Sequence, residues 1–167
     1  MAAQDTRRET WFERNGWTIF TGIGLVAVVF GLGDILMGGS TFATGEGVLF
    51  NRLTGTTWDA LQAADPGAAN LIDYQVRASG AYISLFGILT LAICVTALRR
   101  GERWAWYAMW AWPLGVALIV AVLWSATQGP ANGIPVPIVS GSITIVISIA
   151  TLALSARKYL RGPIRGK

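Results

Sequence analysis

Histidine is absent from this 167-residue chain, and cysteine occurs once, as Cys94. The first absence excludes the histidine-ligated haem, di-iron and zinc sites that membrane redox enzymes use. The second excludes an internal disulfide, a Cys-x-x-Cys redox pair and a thiolate cluster. Charge is scarce as well: 13% of the residues are Asp, Glu, Lys or Arg, against about 25% in an ordinary soluble domain. No phosphate-cradling loop appears, and no two carboxylates share an apolar segment for acid and base work. Neither catalysis nor a metal or cofactor is expected.

What the chain does have is four apolar segments. Residues 17–39 carry one charge, Asp34, and residues 78–98 carry none. From Trp104 to Ala156 there is no ionised side chain either; the run is interrupted only by Gln128, Gly129, Pro130, Ala131, Asn132 and Gly133, a turn composition that divides it into 104–124 and 134–156. A helix of about 20 residues spans roughly 30 Å, the hydrocarbon thickness of a bilayer. Polar residues do not recur every third or fourth position, as on a soluble bundle, nor is there the alternation of a membrane barrel. The expectation is an all-α membrane protein: one domain over 1–167, a four-transmembrane-helix antiparallel bundle with a short helical external cap at 40–77.

The cations orient it. Arg7, Arg8 and Arg14 precede the first segment, Arg99, Arg100 and Arg103 lie between the second and third, and Arg157, Lys158, Arg161, Arg165 and Lys167 follow the fourth, eleven of thirteen in all. The positive-inside rule then places both termini in the cytoplasm of a multi-pass plasma-membrane protein. The pI of about 9.7 is thus divided among three short flanks, where it sets topology or meets anionic headgroups; no basic element remains for nucleic acid. The first segment exceeds the 7 to 15 apolar residues of a signal peptide and is expected to be a retained helix.

In the connection at 40–77, Thr56 and Asp59 resemble a capping box opening a helix from Trp58 to Ala64, and Asp65 with Pro66 starts the next, which runs on to Arg99. Asp34 is the one ionisable residue within a span, near its external end, where a carboxylate is costly without a partner. Arg77 is the expected ion-pair partner, with Asp73 beside it. In the third segment, Trp104, Trp106, Tyr107 and Trp124 suit headgroup depth, while Trp110 and Trp112 lie deeper. Pro113 cannot donate to Met109 and is expected to kink the helix, giving Trp106, Trp110, Trp112 and Pro113 as a surface for a flat hydrophobic ligand. Ser140, Thr144, Ser148, Thr151 and Ser155 form a polar stripe on one side of the fourth helix, for packing or a water path. Ala27 with Gly31, and Gly80 with Ser84, are small pairs one turn apart. The short second and third connections predict helix 2 beside helix 3 and helix 3 beside helix 4.

Thr56, Thr57, Trp58 and Asp59, then Asp65 and Pro66, then Asp73, Tyr74 and Arg77, and then Arg100 to Trp106, resemble the small four-helix integral membrane proteins of bacteria, the DoxX-like group. The resemblance implies four helices and a bacterial plasma membrane, with no site residues to carry across. Three functions follow as expectations: an accessory or scaffold subunit of a membrane complex, partnered by lipids and by other subunits or its own copies; a binding protein for a lipid, quinone or pigment near Trp110; or a small transporter or channel using Asp34.

Overall fold

The computed structural model describes residues 10–44, 46–127 and 134–160. Among these the protein is all-helical, with no strand. Thr10 opens α1 (Trp11–Met37) with a reciprocal capping box, its side chain accepting from Glu13 while the Glu13 carboxylate accepts from the Thr10 amide. A 3₁₀ turn, Gly38–Ser40, leads into the cap: α2 (Thr41–Thr44), α3 (Gly47–Thr54) and α4 (Trp58–Ala64). Long α5 (Pro66–Ile93) continues as a π-helical turn, Cys94–Leu98. Then come α6 (Arg103–Ala108), α7 (Ala111–Ala126) and α8 (Val136–Leu160). Four segments, Trp11–Thr44, Pro66–Leu98, Arg103–Ala126 and Val136–Leu160, are long and apolar enough to cross a membrane. Their outward faces carry Phe30, Leu36, Leu118 and Val146, each more than half exposed, a surface compatible with lipid tails.

Two expected elements change on inspection of the cap. The helix over Trp58 to Ala64 is present, but Thr57, not Thr56, caps it by accepting from Ala60 at 3.3 Å; Thr57 holds the extended backbone that an N-cap requires. Helices α2 and α3 come in addition, and Gly55 ends α3 in the left-handed region at φ 72°. Asp65 caps α5 through Ala68 with Pro66 behind it, as the dipeptide predicts. The third segment is two helices. Pro113 leaves the Met109 carbonyl without its i+4 donor, so that carbonyl takes the Trp112 amide at 3.2 Å and the axis breaks at Met109 and Trp110. The turn at 128–133 lies outside the described residues.

Helix neighbours also differ from those that loop length predicts. The most extensive packing is α1 against α5, followed by α7 against α8 and α1 against α8. Helix 3 does lie beside helix 4, and helix 2 meets it through its π-helical turn packed on α6 and where Phe86 and Thr90 reach Trp112, but α1 occupies the place beside α5. Glycine decides this. Gly24 faces Gly87 and Gly31 faces Gly80, so closely that a Cβ on Gly80 would stand 2.6 Å from the Gly31 carbonyl oxygen, and one on Gly87 2.7 Å from that of Gly24. At this approach Cα–H groups meet carbonyls across the seam, a weak attraction repeated at each pair. The pairs Ala27 with Gly31 and Gly80 with Ser84 fall into this one interface, where the buried Ser84 hydroxyl lies against Gly31. Farther toward its start, the same buried stripe of α1 sets Gly16 against Thr151 and Ser155 of α8. The core at this end gathers Phe20, Cys94, Leu98, Trp106, Met109, Leu152 and Tyr159.

Candidate functional site at the capped end

The polar residues singled out in the sequence collect where α1 stops. A helix C-terminus leaves its last carbonyls without intrahelical donors, and α1 ends on Gly38 at φ 54°, a conformation natural to glycine. Arg77 of α5 fills the need: its guanidinium donates to the carbonyls of Ile35 at 2.6 Å and Leu36 at 3.4 Å. Asp73, one turn earlier, holds the Arg77 Nε at 2.7 Å and accepts the Gly39 amide at 2.8 Å. The expected ion pair of Asp34 with Arg77 is therefore replaced by one of Asp73 with Arg77. Their i,i+4 spacing brings the two side chains together on α5 before any other helix arrives, and the pair then clamps the carbonyls and the amide at the end of α1. Asp34 instead lies against Gly80, its Cβ 2.7 Å from where a Gly80 Cβ would be.

Above this clamp the cap builds a small aromatic core. Trp58 is buried over Gly39, where any Cβ would collide with the indole. Phe50 packs on it edge to face at 5.6 Å and Phe42 at 5.9 Å, with Ala69 of α5 beneath, arrangements favoured by the ring quadrupoles. A pocket of about 330 Å³ opens beside them, lined by Phe42, Asn51, Thr57, Trp58 and Asp59 among others. Glu46 precedes α3, and burial, with the neighbouring Asp34 carboxylate adding to it, raises its pKa above the usual 4.5. Arg52 of α3 donates to the Thr127 carbonyl at 3.4 Å, joining the cap to the end of α7.

The other candidate residues sit elsewhere and do different work. Trp106, Trp112 and Pro113 are buried in the bundle and Trp110 is half-buried. Trp106 donates to the Leu152 carbonyl at 3.2 Å and Trp112 to the Thr90 hydroxyl at 3.0 Å, so both indoles meet protein where a ligand face was expected. The break at Pro113 is real, and what it does is turn these two rings inward. The stripe on α8 divides in two. Ser148, Thr151 and Ser155 are buried, whereas Ser140 is exposed and Thr144 half-exposed. Ser140 donates back to Val136 at 3.0 Å, Thr144 to Ser140 at 2.9 Å and Thr151 to Ile147 at 2.7 Å, the ordinary resting state of a hydroxyl in a helix. No continuous polar line results. Sequence reasoning missed Gly38, Gly39, Glu46 and Arg52; only the paired glycines after an apolar run carried a signal, that of a helix end. Among the described residues no three or more of Cys, Asp and Glu come together as a metal site would require. Compared with protein-family models, with curated proteins and with solved structures, the chain has no match.

Proposed function

We propose that the protein is a non-catalytic, multi-pass integral membrane protein of a bacterial plasma membrane, acting as an accessory or scaffold subunit of a membrane complex. The observation that carries this is the distribution of polarity. Asp73, Arg77, Trp106 and Trp112 are all engaged in joining one helix to another, and what the helices turn outward is apolar. In such a protein the outward faces and the folded cap are what remains to meet a partner. The order of contacts along the α1 and α5 seam, Gly24 with Gly87, Gly31 with Gly80, then Gly38 with Asp73, supports antiparallel helices. Cations at one end and the cap at the other support cytoplasmic termini. The likeness of the cap and of Arg100 to Trp106 to the DoxX-like group is what points to bacteria. The ligand alternative draws less support, because two of its indoles already donate to protein; the transport alternative lacks a connected polar path.

Native mass spectrometry of the full chain, released from its own membrane in mild detergent, tests the proposal. A stoichiometric second subunit or a defined oligomer is expected. A lone monomer carrying a small hydrophobic molecule would overturn it in favour of the ligand alternative, and a protein that stays monodisperse without detergent would overturn the membrane assignment itself.

A further inference from the structure

At the end opposite the cap, Tyr159 of α8 donates to the Leu98 carbonyl at 3.0 Å, fixing the end of the π-helical turn. The next residue, Arg99, places its guanidinium 5.3 Å above the ring of Trp17. Arg14 lies three residues before Trp17 on α1 and so brings a second cation to the side of the helix that carries the half-buried indole. Among the described residues neither guanidinium makes an ion pair. The nearby carboxylates have other donors: Glu13 accepts from the Thr10 amide and Glu102 from the Trp104 indole. Arg100, Arg103, Arg157 and Lys158 add further positive charge at the same end. Above Trp17 the same side of α1 carries Thr21, whose hydroxyl donates to the Trp17 carbonyl at 2.9 Å, and then Leu25, exposed, and Val28, half-exposed.

We propose that Arg14, Trp17 and Arg99 form a binding site for the headgroup phosphate of an anionic phospholipid, whose acyl chain lies along Leu25 and Val28. The inference rests on the membrane assignment above. Charge complementarity selects the occupant: two guanidinia that make no ion pair among the described residues, beside an indole, present forked donors to a phosphodiester, and the apolar flank accepts what a soluble anion lacks. Phosphatidylglycerol presents the phosphodiester as its net charge, whereas phosphatidylcholine carries in addition a choline cation that the two guanidinia repel.

The test is retention of lipid by the full chain in native mass spectrometry from micelles doped with equal phosphatidylglycerol and phosphatidylcholine. The wild type is expected to keep phosphatidylglycerol preferentially, and R14Q/R99Q to lose that preference by about tenfold, each interfacial cation contributing severalfold. R157Q/K158Q removes the same charge from α8 and is expected to keep most of it. Equal retention of both lipids by the wild type, an unaffected R14Q/R99Q protein, or an equal loss in both double variants would overturn the site. So would displacement of the lipid by millimolar inorganic phosphate, the mark of a soluble-anion site. Unchanged helicity by circular dichroism shows that the variants remain folded, and aggregation of all proteins on adding any lipid would count against the membrane assignment instead.

Discussion

A methyl group added at Gly31 has nowhere to go, because the Gly80 carbonyl and the Ser84 hydroxyl already occupy its place. Gly31→Ala and Gly80→Ala are therefore expected to destabilise the fold by about 1–3 kcal/mol, the cost of overpacking against backbone. Gly22→Ala and Gly115→Ala meet open space and are expected to be neutral or to stabilise by about 0.5–1 kcal/mol through helix propensity. Equilibrium unfolding in mixed micelles distinguishes the two sets. If all four behave alike, the seam is not where the structure places it. Trp112→Phe removes the donor to Thr90 and is expected to cost about 1 kcal/mol, with Thr90→Val adding little to it in a double-mutant cycle. Arg77→Gln is expected to speed amide exchange at the end of α1, measured by hydrogen–deuterium exchange, whereas Asp34→Asn leaves it unchanged. The reverse pattern would restore the Asp34 pairing.

At the scale of elements, what was legible depended on whether the signal was local. Asp65 and Pro66 announce a helix start by short-range chemistry, and α5 begins there; Pro113 announces a break because a missing N–H is a property of one residue. Apolar length marked all four long helices. Helices α2 and α3 were illegible because 41–57 is dense in Gly and Thr, residues that local propensity assigns to loops, and contacts distant in sequence, Phe42 and Phe50 against Trp58 and Arg52 on Thr127, help hold them. The π turn at Cys94–Leu98 was illegible too, since it answers to Tyr159 sixty-one residues away. For the candidate site, the residue types were legible and the pairing was not: Asp34, Asp73 and Arg77 all looked available, and the choice followed from where the end of α1 fell. Glu46 gives the cap a pH response. Burial raises its folded-state pKa above 4.5, so the folded protein holds the proton more tightly than the unfolded chain. Its contribution to stability is complete below pH 4.5 and is lost as pH rises through the folded value. Thermal unfolding in detergent is expected to show cap stability falling across that window, and Glu46→Gln to remove the dependence. A wild type that gains stability across it would contradict the burial of Glu46.

For the whole molecule, interior and exterior are compatible with lipid as the solvent. Hydrogen-bond donors at Trp106, Trp112, Arg77 and Tyr159 reach carbonyls or hydroxyls on other parts of the fold. Backbone groups close within helices, as hydrocarbon demands, and bulky apolar side chains take the outside. Close approach through glycine replaces a hydrophobic driving force that lipid tails would not supply. Cations stand at one end and the aromatic cap at the other. The most direct measurement is labelling of intact cells with a membrane-impermeant maleimide, with the buried Cys94 left in place as an unreactive background. Gln62→Cys on exposed α4 is predicted to label at once, and Lys167→Cys only after the membrane is permeabilised. Labelling of Lys167→Cys in intact cells, or protection of Gln62→Cys there, would contradict four crossings with the cap outside.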